Sequence, residues 1–133
     1  MDLLERARAL AATTVLGDVA APTLIALAER AVVLELEAGA SVTTRRPDGV
    51  VVVVVARGAL EVGGAGVRAS AGELIGAAAA LDAAAPGVTA KAAEAAVVLE
   101  VGQDDFVDVL AEHPVAARAL ARELAQTLRE ARR

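Results

Sequence analysis

The sequence predicts an α+β fold: an antiparallel β-roll or jelly roll, of the double-stranded β-helix kind, held between N-terminal and C-terminal helices. Three observations carry that expectation. Helical spacing of apolar residues is strongest towards the two ends of the chain. Between them lie short β-prone segments punctuated by glycine. Among these stands an unbroken run of six valines, Val50 to Val55, the strongest strand signal present because β-branching favours an extended backbone.

Each element follows in order. Leu3, Leu4, Ala7 and Leu10 recur at helical spacing and predict a short amphipathic helix ending near Ala12. Pro22 suits a first helical position, and Leu24, Leu27, Ala28 and Ala31 share one face behind it. From Val32 to Glu37 the period becomes strand-like; Gly39 breaks it, and Ser41 to Thr44 is a second short strand before a Pro-Asp-Gly turn at Pro47 to Gly49. The valine run has no polar face, so it must be covered on both sides or lie in an interface. Ala59 to Val62 and Val67 to Ala69 form a hairpin around the glycine-rich turn Gly63 to Gly66. The alanines from Gly76 to Ala84 predict a short helix among the strands. Gly87 to Ala92 and Ala96 to Val101 return to strand composition. Phe106, Val109 and Leu110 mark a helix that His113-Pro114 terminates, and Pro114 opens a last helix running to the C-terminus.

A length of 133 residues supports one domain. We divide it into N-terminal helices (1–31), a β-roll (32–102) and C-terminal helices (103–133). Zero cysteine excludes a disulfide scaffold, a thiolate metal site and a thiol nucleophile, and the single His113 cannot supply a histidine metal cage. No metal, no cofactor and no catalytic residue is expected, and a metal-dependent jelly-roll enzyme is disfavoured for want of histidines. A net charge of −5 without a basic block, and one aromatic residue in all, argue against a nucleic-acid binder. Glu5, Arg6 and Arg8 interrupt any apolar leader, and no run suffices for a membrane span, so a cytoplasmic protein is expected. Twelve of the thirteen basic residues are Arg, a bias that fits a GC-rich, bacterial genome.

The ordered motifs resemble the cyclic nucleotide-binding domain family, the β-roll of catabolite-activator-type sensors, over roughly Leu10 to Ala131. The similarity lies in Leu24-x-x-Leu27-Ala28, Ala38-Gly39, Gly58 before Leu60-x-Val62, and Ala71-Gly72-Glu73-Leu74-Ile75-Gly76. It continues through Leu81-Asp82, Thr89-Ala90-Lys91-Ala92 and Asp104-Asp105-Phe106-x-x-x-Leu110-x-x-His113-Pro114. The resemblance implies a phosphate cassette at Gly72, Gly76, Ala77, Ala78, Pro86, Gly87, Val88 and Thr89. In the family a helix N-terminus and an arginine hold the cyclic phosphate, a glutamate accepts from the ribose hydroxyl, and a Ser or Thr closes the pocket.

Here the family's glycine falls on Gly76 and its threonine on Thr89, but its glutamate on Ala77 and its arginine on Pro86. Losing the charged contact alone forfeits about 1.5–3 kcal/mol. Lys91 or Arg68 are the cations considered as substitutes, and Glu73 is the displaced acceptor. Arg45 and Arg46 read as a charged turn that keeps the following apolar strand soluble, and His113 as a helix-boundary residue.

In the last helix Ala117, Ala121, Leu124 and Leu128, with Leu120 beside them, form a seam of about two heptads. Packing on the chain's own roll and pairing with a twin helix both fit; the resemblance implies a dimer or lid helix. The expectation is a nonenzymatic regulatory or assembly module that acts through protein contacts. It is a sensor without a DNA-reading half, a homodimer, with no nucleic acid or membrane partner and little affinity for cyclic AMP or cyclic GMP. The alternative is a sensor that binds a cyclic nucleotide or another small anion through a noncanonical pocket and regulates a larger protein.

Overall fold

Two antiparallel sheets and five helices make up the computed structural model, which describes residues 1–64 and 66–131. Ala65, within the expected Gly63–Gly66 turn, lies outside the described residues, as do Arg132 and Arg133. Helix α1 (Leu3–Ala11) begins at a capping box in which Asp2 accepts from the Glu5 amide and the Glu5 carboxylate accepts from the Asp2 amide. The hydrogen bond from the Glu5 amide holds the Asp2 carboxyl below its ordinary pKa. Helix α2 (Ala21–Arg30) starts with Pro22 in its first turn and buries Leu24, Leu27 and Ala28.

The strands are β1 (Val32–Leu36), β2 (Ser41–Thr43), β3 (Arg45–Arg46), β4 (Gly49–Arg57), β5 (Ala59–Val62), β6 (Val67–Ser70) and β7 (Leu74–Ile75). Helix α3 (Ala77–Leu81) follows, then β8 (Thr89–Ala92), β9 (Ala96–Gly102), α4 (Gln103–Glu112) and α5 (Pro114–Ala131). One sheet runs β1-β9-β4-β3 with β7 also on β4; the other runs β2-β8-β5-β6. This is the expected β-roll, as two open sheets rather than a closed barrel. No described helix is long and apolar enough to cross a membrane.

The valine run is the shared wall. Val50, Val52 and Val54 face the core formed with α1, α2, α4 and Phe106. Val53 and Val55 face the interior of the roll with Val42, Leu60, Ala90, Ala92 and Val98. Neighbouring β9 divides the same way, Leu99 and Val101 to the helices and Ala96 and Val98 to the roll. An apolar run without alternation is thus explained by burial on both faces.

Two short strands, β3 and β7, are absent from the sequence expectation. Each has two residues, too few to show a period, and each exists because β4 offers an edge to pair with. The expected Gly76–Ala84 helix stops at Leu81, where Asp82 turns extended and its carboxylate accepts from the Ala84 amide.

Gly58 closes the bend from β4 to β5 at φ +80°, and an added Cβ there would stand 2.6 Å from the Ala95 carbonyl oxygen. Gly58→Ala is therefore expected to destabilise by at least about 1–3 kcal/mol. Gly64→Ala, where nothing lies within 4 Å, is expected to stay near neutral. Urea unfolding followed by far-ultraviolet circular dichroism compares the two, and equal losses would contradict this account of the bend.

Candidate functional site: a cassette closed by its neighbouring strand

The segment from Gly72 to Thr89, to which the resemblance assigns the cassette, links β6 to β8 through β7 and α3. Gly72 takes φ +90° and donates its amide to the Val55 carbonyl at 2.9 Å, which ties the segment to β4. Gly76 at φ +89° precedes α3, and the left-handed turn lets the helix leave β7 at a sharp angle. Within α3, Ala77, Ala79 and Ala80 are buried in the helical core while Ala78 is exposed. The Ala77 methyl therefore belongs to packing. Pro86, Gly87 and Thr89 are exposed and Val88 is half-buried.

Strand β2 runs antiparallel to β8 in the register Ser41–Lys91, Val42–Ala90, Thr43–Thr89. Thr44 and Arg45 extend it along the cassette. The Thr44 amide donates to the Val88 carbonyl, and the Val88 amide donates back to the Thr44 hydroxyl, both at 2.9 Å. Thr44 is fully buried, and its Cγ2 would stand 2.6 Å from a Cβ added to Gly76. One threonine thus fills the cleft between the start of α3 and the strand, using the polar group that Val88 offers.

Arg45 closes the other side. Its Nη2 donates to the carbonyl oxygens of Ala85 at 2.6 Å and Ala83 at 3.3 Å. Gly87 lies flat on the arginine stem, since a Cβ there would approach Arg45 Cβ to 2.5 Å. On the outer face the Thr43 and Thr89 hydroxyls meet at 3.2 Å.

Arg46, the next residue, serves the other sheet. Its guanidinium faces Glu100 of β9 through both carboxylate oxygens, with Nη1 to Oε1 at 3.2 Å. Glu100 is 6% exposed, so Arg46 is what makes a carboxylate tolerable inside that strand. Three residues beyond Glu100, at the first position of α4, the Gln103 side-chain amide donates to the Ala80 carbonyl near the end of α3. The cassette is thereby fastened to β2 and β3 on one side and to α4 on the other.

This corrects the expectation for Arg45 and Arg46. They are not a solubilising turn: both are half-buried and both are committed to partners. The sequence signal was Glu100 in an otherwise apolar strand, an acid in need of a base.

Among the other expected residues, Lys91 does share the face of Thr89, and that face is exposed, with the lysine stem against Gly39 and Glu61 opposite. Arg68 stands 3.8 Å from Glu94, both well exposed. Glu73 accepts from the Ser70 amide at 3.0 Å and so closes a turn. His113 caps α4, donating its amide to Val109. In the C-terminal seam Leu120 is buried and Ala117 half-buried, whereas Ala121, Leu124 and Leu128 are exposed. Among the described residues no cluster of three or more acidic or histidine side chains could hold a metal ion.

No protein-family model matches the chain, and no curated protein matches it. Solved structures do. The sensor domain of the transcriptional regulator DNR from Pseudomonas aeruginosa aligns with a TM-score of 0.73 at 16% identity, over 92% of this chain and 88% of that one. The Thermus thermophilus catabolite activator protein gives 0.71 at 22% identity, over 90% and 60%. The regulatory domain of Toxoplasma gondii PKA, solved with cAMP, gives 0.75 at 15% identity, over 93% and 50%. This chain spans about half to three-fifths of the length of the latter two. Its fold is that of cyclic nucleotide-binding regulatory domains.

Thr44→Val is expected to cost about 1–3 kcal/mol, because it strands the Val88 amide while nearly preserving volume. Arg45→Ala should leave global stability little changed yet accelerate amide exchange across residues 82–88, with β4 unaffected. Hydrogen exchange read by mass spectrometry checks both, and unchanged exchange in that loop for Arg45→Ala would refute the clasp.

Proposed function

We propose that this chain is a nonenzymatic, bacterial and cytoplasmic regulatory or assembly module, a single domain of cyclic nucleotide-binding fold that acts through protein contacts and does not bind cyclic AMP or cyclic GMP at ordinary concentrations. The observation that carries the reading is the pairing inside the cassette. Thr44 takes the Val88 amide, Arg45 takes the Ala83 and Ala85 carbonyls, and the two positions that would supply charge and acceptor hold Pro86 and Ala77. A nucleotide would have to break these bonds, would find no ribose acceptor at Ala77, and would meet no cation there except the Arg45 guanidinium already committed to two carbonyls.

Self-association belongs to the same reading: α5 carries apolar side chains past the point where it leaves the domain.

A second reading has one observation in its favour. The Arg45 guanidinium lies beside the residue preceding Pro86, so a cation does stand at the cassette, contributed from the opposite strand. A small anion that outcompeted two carbonyls for it would make the chain a ligand sensor with a noncanonical pocket.

Isothermal titration separates the two, since the chain has neither Tyr nor Trp for a fluorescence readout. The expected result is no heat with millimolar cyclic AMP or cyclic GMP. Micromolar binding abolished by Arg45→Ala would replace the first reading with the second, as would an ordered nucleotide between Gly76 and Thr89 in a soaked crystal.

A further inference from the structure

Leu81, Val107 and Leu124 are 49%, 36% and 40% exposed, and although they belong to three different helices they face one groove. The groove, of about 400 Å³, lies where the end of α3 meets α4 and α5, and Leu110, Ala117 and Ala121 complete its lining. Single exposed apolar side chains need no explanation, whereas three that converge on one apolar channel mark a surface built to be covered.

The rims of the groove carry charge of opposite sign. Around α4 from the buried Phe106, Val107 turns into the groove and Asp108 lies beyond it, with Asp104 on the same rim one turn earlier. Both aspartates are exposed and border the continuation of the groove past Leu81 and Val107. Around α5 from the buried Leu120, Ala121 turns into the groove and Arg122 lies beyond it, with Arg118 one turn earlier. None of these four charged groups forms an ion pair among the described residues. An apolar floor between an acidic rim and a basic rim is the complement of an amphipathic helix that carries cations along one flank and anions along the other. The small side chains of Ala117 and Ala121 let the backbone of such a helix lie close.

We propose that this groove is the docking site for a short amphipathic helix of another protein, its apolar anchors on Leu81, Val107 and Leu124 and its basic flank along Asp104 and Asp108. This rests on the reading of the chain as a module that acts through protein contacts, and it gives the partner a chemistry. Pairing of two copies along the α5 seam would leave Leu81, Val107 and the aspartate rim without a role; a helix seated across α4 uses all of them. Helix α4 has 10 residues, about 15 Å, so roughly two to three turns of the partner suffice.

Fluorescence anisotropy at low micromolar chain concentration tests this with two labelled, alanine-based peptides of about 15 residues. Both carry leucines on one face; the first has arginine along one flank and glutamate along the other, the second glutamate along both. The first is expected to bind the wild-type chain about tenfold more tightly than the second. Asp104→Arg with Asp108→Arg should reverse that preference. Val107→Asp, an exposed site off the α5 seam, should weaken the first peptide about thirtyfold, while Leu128→Asp, on the seam but outside the groove, should leave it unchanged. No binding at submillimolar peptide, or a charge preference that Asp104→Arg/Asp108→Arg does not reverse, would overturn the proposal. Binding lost on Leu128→Asp and kept on Val107→Asp would overturn it too and give the apolar surface to a second copy of the chain. Circular dichroism of each variant confirms that the fold is intact. Nucleotide titration reads the cassette alone, so failure of the docking site and failure of the closed cassette give different results.

Discussion

The structure depends on burying one strand on both faces. Strand β4 pairs with β9 along nearly its whole length, and its valines serve the helical core and the roll interior in turn. Valine suits this double duty because it is stiff at χ1 and small enough for either side. An amphipathic strand would have left one of the two cores without a wall. The interior that results is lined by Val42, Leu60, Ala69, Ala90 and Ala92.

The cassette is held by the same ladder: one residue beyond the β2–β8 pairing, Thr44 bonds the Val88 backbone directly and occupies the cleft beneath Gly76. The glycines on the facing segment are what allow the approach, since a side chain at Gly76 or Gly87 would collide with Thr44 or Arg45. A segment that has a helix start, a turn and an edge strand is here satisfied from within. The fold is shared with a regulatory domain solved with cAMP; the contents of the site are this chain's own.

The two adjacent arginines show how strand alternation distributes work. Arg45 and Arg46 point to opposite sides of β3, so one grips the cassette loop and the other neutralises Glu100. Burying Glu100 costs desolvation, and removing the half-buried Arg46 would leave that carboxylate without its cation. It fixes the short β3 against the main sheet, and through it the position of the Arg45 stem. Gln103 completes the circuit by joining α3 to the start of α4. The cassette, the central sheet and the C-terminal helices are therefore one connected unit, with α5 alone extending beyond it.

By itself the sequence determined the elements whose signal is local: the proline and capping residues at helix starts, the glycines at bends, the valine strand, the Phe106 helix and its stop at His113-Pro114. It also showed that Pro86 and Ala77 carry neither the charge nor the acceptor that the resemblance implies at those positions. Only the tertiary structure decided what surrounds them. Thr44, Arg45 and Arg46 stand 44, 40 and 54 residues from Val88, Ala85 and Glu100, and such pairings have no period or spacing to betray them. The same holds for the seam of α5. Its heptad pattern specifies an apolar face, but whether Leu120 or Leu124 is covered depends on where α4 ends its contact, and that is set by packing across the chain rather than along it.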